Sequence, residues 1–401
     1  MVNTTRCFLM AGVIAAAGAT TAMAGNPTWI GGGADQNWST TANWANGTPW
    51  ANAQTAEFGP GTYNGNTTND ITNANFGGIQ VDSGAPAITV TDAAGMQFVT
   101  QVNAVTNNSA STLTLNTNFR PFLNVQNIAA NGTGAIVVDT VTFRDDLRPS
   151  PFDGFNVSIQ TTGPSSGAGN VVFNGLVNNA STGFLSGFIV NNTGGYTELA
   201  DGANSFNGGV DIRAGTLLVS NGASGSATGT GAVTANGGGI AGIGSISGLV
   251  TLNGSTQITA GGALSANYGK FTNAVGTLSL NGGLNMNGKS GSTLNLYFSG
   301  GSNSTLNVGG TLSLSTADTL ALGGDVGLGT YHVIDYSTLA NASDLSSWTV
   351  SGPSGFSYSL VNNTGNNSID LVVAATPEPA ALGLLAAGGA SVLLLCRRRS
   401  L

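Results

Sequence analysis

Charge is what this sequence has least of. Only 7% of its 401 residues are Asp, Glu, Lys or Arg, where a globular chain carries about 25%. Cysteine occurs twice, at Cys7 and Cys396, and histidine once, at His332. With no cysteine between them, the body of the chain has neither a disulfide framework nor a thiolate metal site. His332 has no histidine partner for a metal pair and no nucleophile in a G-x-S-x-G setting, so it is expected to be a structural residue on a strand. No cofactor and no metal are called for. Glu and Lys, which decorate solvent-facing helices, are scarce, and no amphipathic helix is found between Gly25 and Ala375. Six basic residues, Arg120, Arg144, Arg148, Arg213, Lys270 and Lys289, are scattered along the body. They form no basic patch, and a net charge of −8 makes a nucleic-acid partner unsuitable.

What fills the chain instead is glycine, 62 residues of it, with Asn, Thr, Ser and a 41% apolar fraction. That fraction is too high for a charged, disordered tail. The apolar residues recur two apart between turn formers, as in Ile88-Thr89-Val90, Leu113-Thr114-Leu115, Ile136-Val137-Val138 and Val171-Val172-Phe173. Period-2 runs of this length are strands with one buried face, which places Leu113 and Leu115 together and the threonines opposite. Pairs such as Leu278 and Leu280, Leu294 and Leu296, and Leu306 and Val308 continue the pattern at uneven intervals. The expectation is an all-β body with no single rung length. Residues 331–336 are expected to begin a terminal coil, and residues 362–373 to be its last strand.

Some stretches carry functional candidates. Trp29, Trp38, Trp44 and Trp50 lie close together in residues 28–59. Their rings suit either contact with a glycan or a cap over the open end of a β-stack, and packing is the commoner use of an indole. Residues 143–154 hold Arg144, Asp145, Asp146, Arg148 and Asp153. Adjacent carboxylates on a strand point to opposite faces, and Pro149 and Pro151 mark a loop, so a solvated loop is expected there. Asp325 sits in a Gly-rich turn without the repeat of a calcium roll.

The two ends are the most specific parts. Arg6, the uncharged run after it and Ala22-Met23-Ala24 form a signal peptide over residues 1–24, with cleavage before Gly25 by signal peptidase. At the other end, Pro377-Glu378-Pro379 precedes an uncharged run over residues 380–396 and then Arg397, Arg398 and Arg399. Such a run is a single transmembrane helix, about 24 Å long if residues 380–395 are helical, and short for a ~30 Å hydrocarbon core. The arginines stop transfer and place the C-terminus in the cytoplasm. This order of motif, apolar helix and arginine cluster resembles the PEP-CTERM sorting signal of bacterial surface proteins. The resemblance implies an exosortase partner that cuts near Pro377, Glu378 and Pro379, and an inner-membrane anchor before display or release at the cell surface.

Residues 198–262 contain Gly202-Ala203-Asn204-Ser205-Phe206-Asn207-Gly208-Gly209 and Ala214-Gly215-Thr216-Leu217-Leu218-Val219, followed by Gly/Ser turns and Val250-Thr251-Leu252-Asn253-Gly254. This segment resembles the autotransporter-associated β-strand repeat. Residues 28–59 and 331–373 are similar to the opening and closing segments of proteins that carry it. The resemblance implies a right-handed parallel β-helix. The chain ends in an apolar helix and not in a strand-rich barrel, so self-export is not expected. The organisation expected is a signal peptide (1–24), a Trp-rich cap (25–70), a β-solenoid body (71–373) and a sorting segment (374–401). The function expected is a non-enzymatic surface or biofilm-matrix structural protein, with extracellular polysaccharide as a partner. A β-helix polysaccharide lyase or hydrolase and a glycan-binding adhesin are the alternatives.

Overall fold

The computed structural model of the protein describes residues 25–47, 53–72, 75–100, 105–121, 125–143, 157–179, 185–286 and 290–376. The signal segment, Trp50, residues 144–154 and residues 377–401 lie outside the described residues. Helix among the described residues is limited to short 3-10 turns at Thr41–Asn43, Ala266–Tyr268 and Ala342–Ser347. No helix there is long and apolar enough to cross a membrane. Nearly everything else is strand and turn, gathered into one 31-stranded sheet and a small separate hairpin.

Pairing in the large sheet is dominantly parallel, and partners lie one circuit of the chain apart, an arrangement compatible with a β-solenoid. One ladder runs Ala56, Ile79, Val105, Ile128. A second runs Ile88, Leu113, Ile136, Val171, Thr197, Leu217, Ile240, Ile258, Leu294, Leu320 and Val350. A third joins Phe98, Phe119, Val141 and Val177, and later Leu278, Leu306 and Ile334. Because register is kept, the inward residues of successive strands lie over one another about 4.8 Å apart. The period-2 reading of Leu113–Pro121 holds, since Leu113, Leu115, Thr117, Phe119 and Pro121 are buried and the residues between them are not.

Some polar groups buried in the stack pair with one another across coils. Thr161 and Thr197 share a buried hydroxyl–hydroxyl bond of 2.7 Å, and Thr100 Oγ1 donates to Gln126 Oε1 at 3.0 Å. Left without those partners, each would retain the desolvation cost of a buried polar atom. The corners use asparagine as much as glycine. Asn107 Nδ2 donates to the carbonyls of Ser111, Gly134 and Ala135. Asn204 donates to the Ala227 carbonyl at 2.7 Å and accepts from the Val177 amide at 2.7 Å. These amides satisfy backbone groups that the bend removes from the ladders. Glycine is obligatory where coils touch most closely. Gly242 has φ +129°, and a Cβ there would stand 2.0 Å from the Val219 carbonyl oxygen.

The coils are unequal, as the spacing of apolar pairs implies. Val233 pairs with Val250 after a short circuit, whereas Val250 pairs with Leu284 after a long one. In the long circuit the chain leaves the stack at Gly261 and Gly262, both with positive φ, and forms the antiparallel hairpin Ala263–Leu264 and Phe271–Thr272.

The end of the sheet corrects the expectation for its last residues. Gly329–Ala340 pairs parallel with Thr305–Ser313 on one side, so residues 331–336 do join the stack. On the other side it pairs antiparallel with Ser368–Ala375, which in turn pairs antiparallel with Phe356–Asn363. Residues 362–373 are therefore not one strand. The chain reverses between Asn363 and Ser368, where Asn367 takes a left-handed φ of 53°. A Thr-Gly-Asn-Asn run offers left-handed turn residues, and these interrupt the strand that the flanking apolar residues suggest.

Leu217 is fully buried in the second ladder. Leu217→Ala should lower unfolding free energy by about 2–5 kcal/mol, measured by chemical denaturation. Gly242→Val should prevent close stacking of its coil and leave protein in inclusion bodies or with reduced β-signal by circular dichroism.

Candidate functional site

The indoles at the start of the stack come first. Trp29, Trp38 and Trp44 are each at most 1% exposed. Trp29 and Trp44 meet edge to face with centroids 5.0 Å apart, and Trp29 lies against Phe58 at 6.1 Å. Trp38 meets Phe76 at 5.5 Å, and Phe76, Phe98 and Phe119 continue the aromatic file inward. Trp44 Nε1 donates to the Trp38 carbonyl at 2.7 Å, and buried Asn43 ties the entry loop by accepting from the Gly33 amide and donating to the Asn37 carbonyl. Glycan contact at Trp29, Trp38 and Trp44 is thereby corrected, because no ring face is left for a sugar; Trp50 lies outside the described residues. Trp44→Ala should cost about 3–5 kcal/mol and Trp44→Phe clearly less, as read from paired denaturation curves.

His332 lies where the closing antiparallel strands meet. Its Nδ1 faces Asp370 Oδ1 at 2.6 Å and Ser368 Oγ at 3.2 Å. Ser368 Oγ already donates to Asp370 Oδ1 at 2.7 Å, and Asn363 Nδ2 donates to Asp370 Oδ2 at 2.8 Å. In a nucleophilic triad the acid and the nucleophile face opposite ring nitrogens. Here both face Nδ1, so the cluster acts as a cross-strand tie, in keeping with a structural histidine. Burial raises the Asp370 carboxyl, but bonds from Asn363, Ser368 and His332, with the His332 charge, outweigh it and hold the pKa below its ordinary 3.8. A carboxylate that resists protonation in the folded chain stabilises fully above the unfolded pKa and loses that effect as pH falls through the folded value. Asp370→Asn should therefore melt earlier than the parent at neutral pH, and the gap in Tm should close as pH falls below about 3.8.

The hairpin that leaves the stack builds the third feature. It folds back over earlier coils, where Leu264 and Tyr268 pack on Ala135, Val137 and Val172, an apolar stripe on the outer face. Asn170 Nδ2 donates to the Tyr268 and Gly269 carbonyls at 2.5 and 3.1 Å, anchoring the hairpin tip far upstream. Tyr196 and Phe271 stack at 4.9 Å with ring planes 17° apart. Burial raises the Tyr196 hydroxyl's pKa. Near this face Glu198 Oε1 accepts from Ser220 Oγ at 2.5 Å, while burial raises its carboxyl and Oε2 has no protein partner.

On the downstream side of the hairpin lies a cleft of about 410 Å³. Tyr196, Phe271 and Asn273 form one wall. Gln257 and Thr259, then Asn295 and Tyr297, present their side chains from consecutive coils. The next coil contributes Ala321 and Gly323, which pair with Asn295 and Tyr297. Tyr297 and Asn295 are half-buried, and Asn295 Nδ2 donates to Thr259 Oγ1 at 3.2 Å. No side chain lining the cleft is charged.

These positions were legible only in part. Period 2 puts Leu294, Leu296 and Phe298 inside, which leaves Asn295 and Tyr297 outside; an aromatic ring at an outward position was the available signal. Tyr196 and Phe271 gave none, because their meeting depends on where the hairpin folds. The carboxylates of residues 144–154 and the processing residues Ala22, Ala24, Pro377, Glu378, Pro379, Arg397, Arg398 and Arg399 lie outside the described residues. Among the described residues, no group of three or more His, Cys, Asp or Glu side chains is placed to hold a metal ion. In comparisons with protein-family models and with curated proteins, nothing matches this chain.

Proposed function

We propose that the protein is an exported structural component of a bacterial cell surface or extracellular matrix, with a right-handed parallel β-helix as its body. The observation that carries this reading is a parallel stack finished at both ends. Buried indoles cover its start, and an antiparallel sheet follows its last coils. An open parallel stack would offer unpaired strand edges to further chains. A stack with finished ends can remain one self-contained body at high density outside the cell. It reaches this state with no cysteine between Cys7 and Cys396, so folding needs no oxidant. Its outward positions are chiefly Thr, Asn, Ser and Gly, and its low charge gives little electrostatic hold on nucleic acid.

The chain ends supply the route. Residues 1–24 direct export and are removed after Ala24 by signal peptidase. Residues 380–396 then hold the protein in the inner membrane with Arg397, Arg398 and Arg399 on the cytoplasmic side. An exosortase cuts near Pro377, Glu378 and Pro379 and frees the folded body. The last described strand ends at Ala375, so the motif follows directly on the closing sheet.

Intact-mass measurement of the protein from the cell surface or medium tests the route. The expected mass corresponds to a chain beginning at Gly25 and ending near Pro377. Recovery of a chain that retains Arg397 to Leu401 in the membrane fraction would overturn the sorting reading and leave a permanent anchor.

A further inference from the structure

The cleft beside the hairpin has a composition that points to one class of ligand. Its polar side chains are amides and hydroxyls, Gln257, Asn273, Asn295 and Thr259, and three aromatic rings, Tyr196, Phe271 and Tyr297, line it. Amides both donate and accept hydrogen bonds, as sugar hydroxyls do. The electron-rich face of a tyrosine ring suits the C–H face of a pyranose, and its hydroxyl adds a polar tip. An anionic ligand would need a cation, and a cationic one would need a carboxylate; neither lines the cleft.

The shape agrees with the chemistry. About 410 Å³ falls within the ~300–1,000 Å³ of ligand clefts. The floor spans three coils, from Thr259 through Asn295 to Ala321, in register. Two inter-coil steps of about 4.8 Å give roughly 10 Å of run along the stack. Gly323 leaves the space above Tyr297 open: a Cβ at 323 would touch the Tyr297 ring at 3.6 Å, an ordinary contact. A half-buried tyrosine facing a glycine is a ring surface kept clear, in contrast to the packed indoles of the cap.

We infer that this cleft binds a neutral saccharide chain, with Tyr297 as the ring platform, the Tyr196–Phe271 stack as the side wall, and Asn295 and Gln257 as the hydroxyl-reading groups. The hairpin is then more than an ornament on the stack, because Phe271 and the adjoining Asn273 complete the wall that Tyr196 begins. This inference does not rest on the export route, which the mass measurement tests separately.

The test is calorimetric titration of the full-length chain with cellohexaose, maltohexaose and xylohexaose, and with hexagalacturonate as the anionic counterpart. At least one neutral probe should bind, and hexagalacturonate should bind at least about tenfold more weakly. Tyr297→Ala and Gly323→Leu should each weaken the neutral probe about tenfold or more, and Asn295→Ala about threefold to tenfold. Gly323→Leu fills the cleft without removing a packed group, so it decides the matter should Tyr297→Ala unfold. Absence of binding by every neutral probe at about 10 mM would overturn the inference. So would neutral binding that Gly323→Leu leaves unchanged, or equal binding of hexagalacturonate.

Discussion

Parallel register between successive coils is the constraint on which this structure depends. A parallel strand buries its inward side chains only when the strands above and below present apolar atoms at the same height. Leu217 is covered by Thr197 and Ile240, and Ile240 in turn by Ile258. A slip of one residue would turn each inward column outward. The corner asparagines and the close-contact glycines maintain that register, because each ties a bend to the coil beside it. Nothing covalent supplements them in the described body, and few ion pairs do: Arg213 with Asp211 is an exposed surface pair.

Two kinds of information lay in the sequence at different depths. The alternation of Leu113 with Thr114 and Leu115 is a local property, and it identified strands and their buried face directly. Unequal apolar spacing also carried over, since it reflects real differences in circuit length. What was hidden depends on contacts far apart in the chain. The reversal after Asn363 looked like part of a strand because Val361 and Ile369 flank it with strand-like residues. The hairpin after Gly261 was hidden for another reason. Its apolar residues, Leu264, Tyr268 and Phe271, have no period of their own, because they meet Val137, Val172 and Tyr196 on coils formed much earlier.

The cap and the cleft use similar side chains to opposite ends. At Trp29 and Trp44 the rings meet edge to face and disappear from solvent, which makes aromatic area into stability. At Tyr297 the ring stays half-exposed above a glycine, so the same kind of area is left for a visitor. Residue type alone did not separate these roles; the neighbour on the next coil did. A bulky neighbour buries a ring, and a small one leaves it in view.

The hairpin has a consequence for how the stack responds to load. A pure coil stack is nearly one-dimensional: each coil feels only its neighbours, so it can fray or peel one coil at a time. The bonds from Asn170 to Tyr268 and Gly269 span 98 and 99 residues of chain, and they tie the coil after Gly163 to one several circuits later. A lateral tie of this length works like a buckle across a belt. Force that would peel one coil must also release the buckle, so the coils beneath it share the load and yield together. It also imposes an order on assembly, because the tip has nothing to fasten to until the coils holding Val137, Val172 and Asn170 are in place.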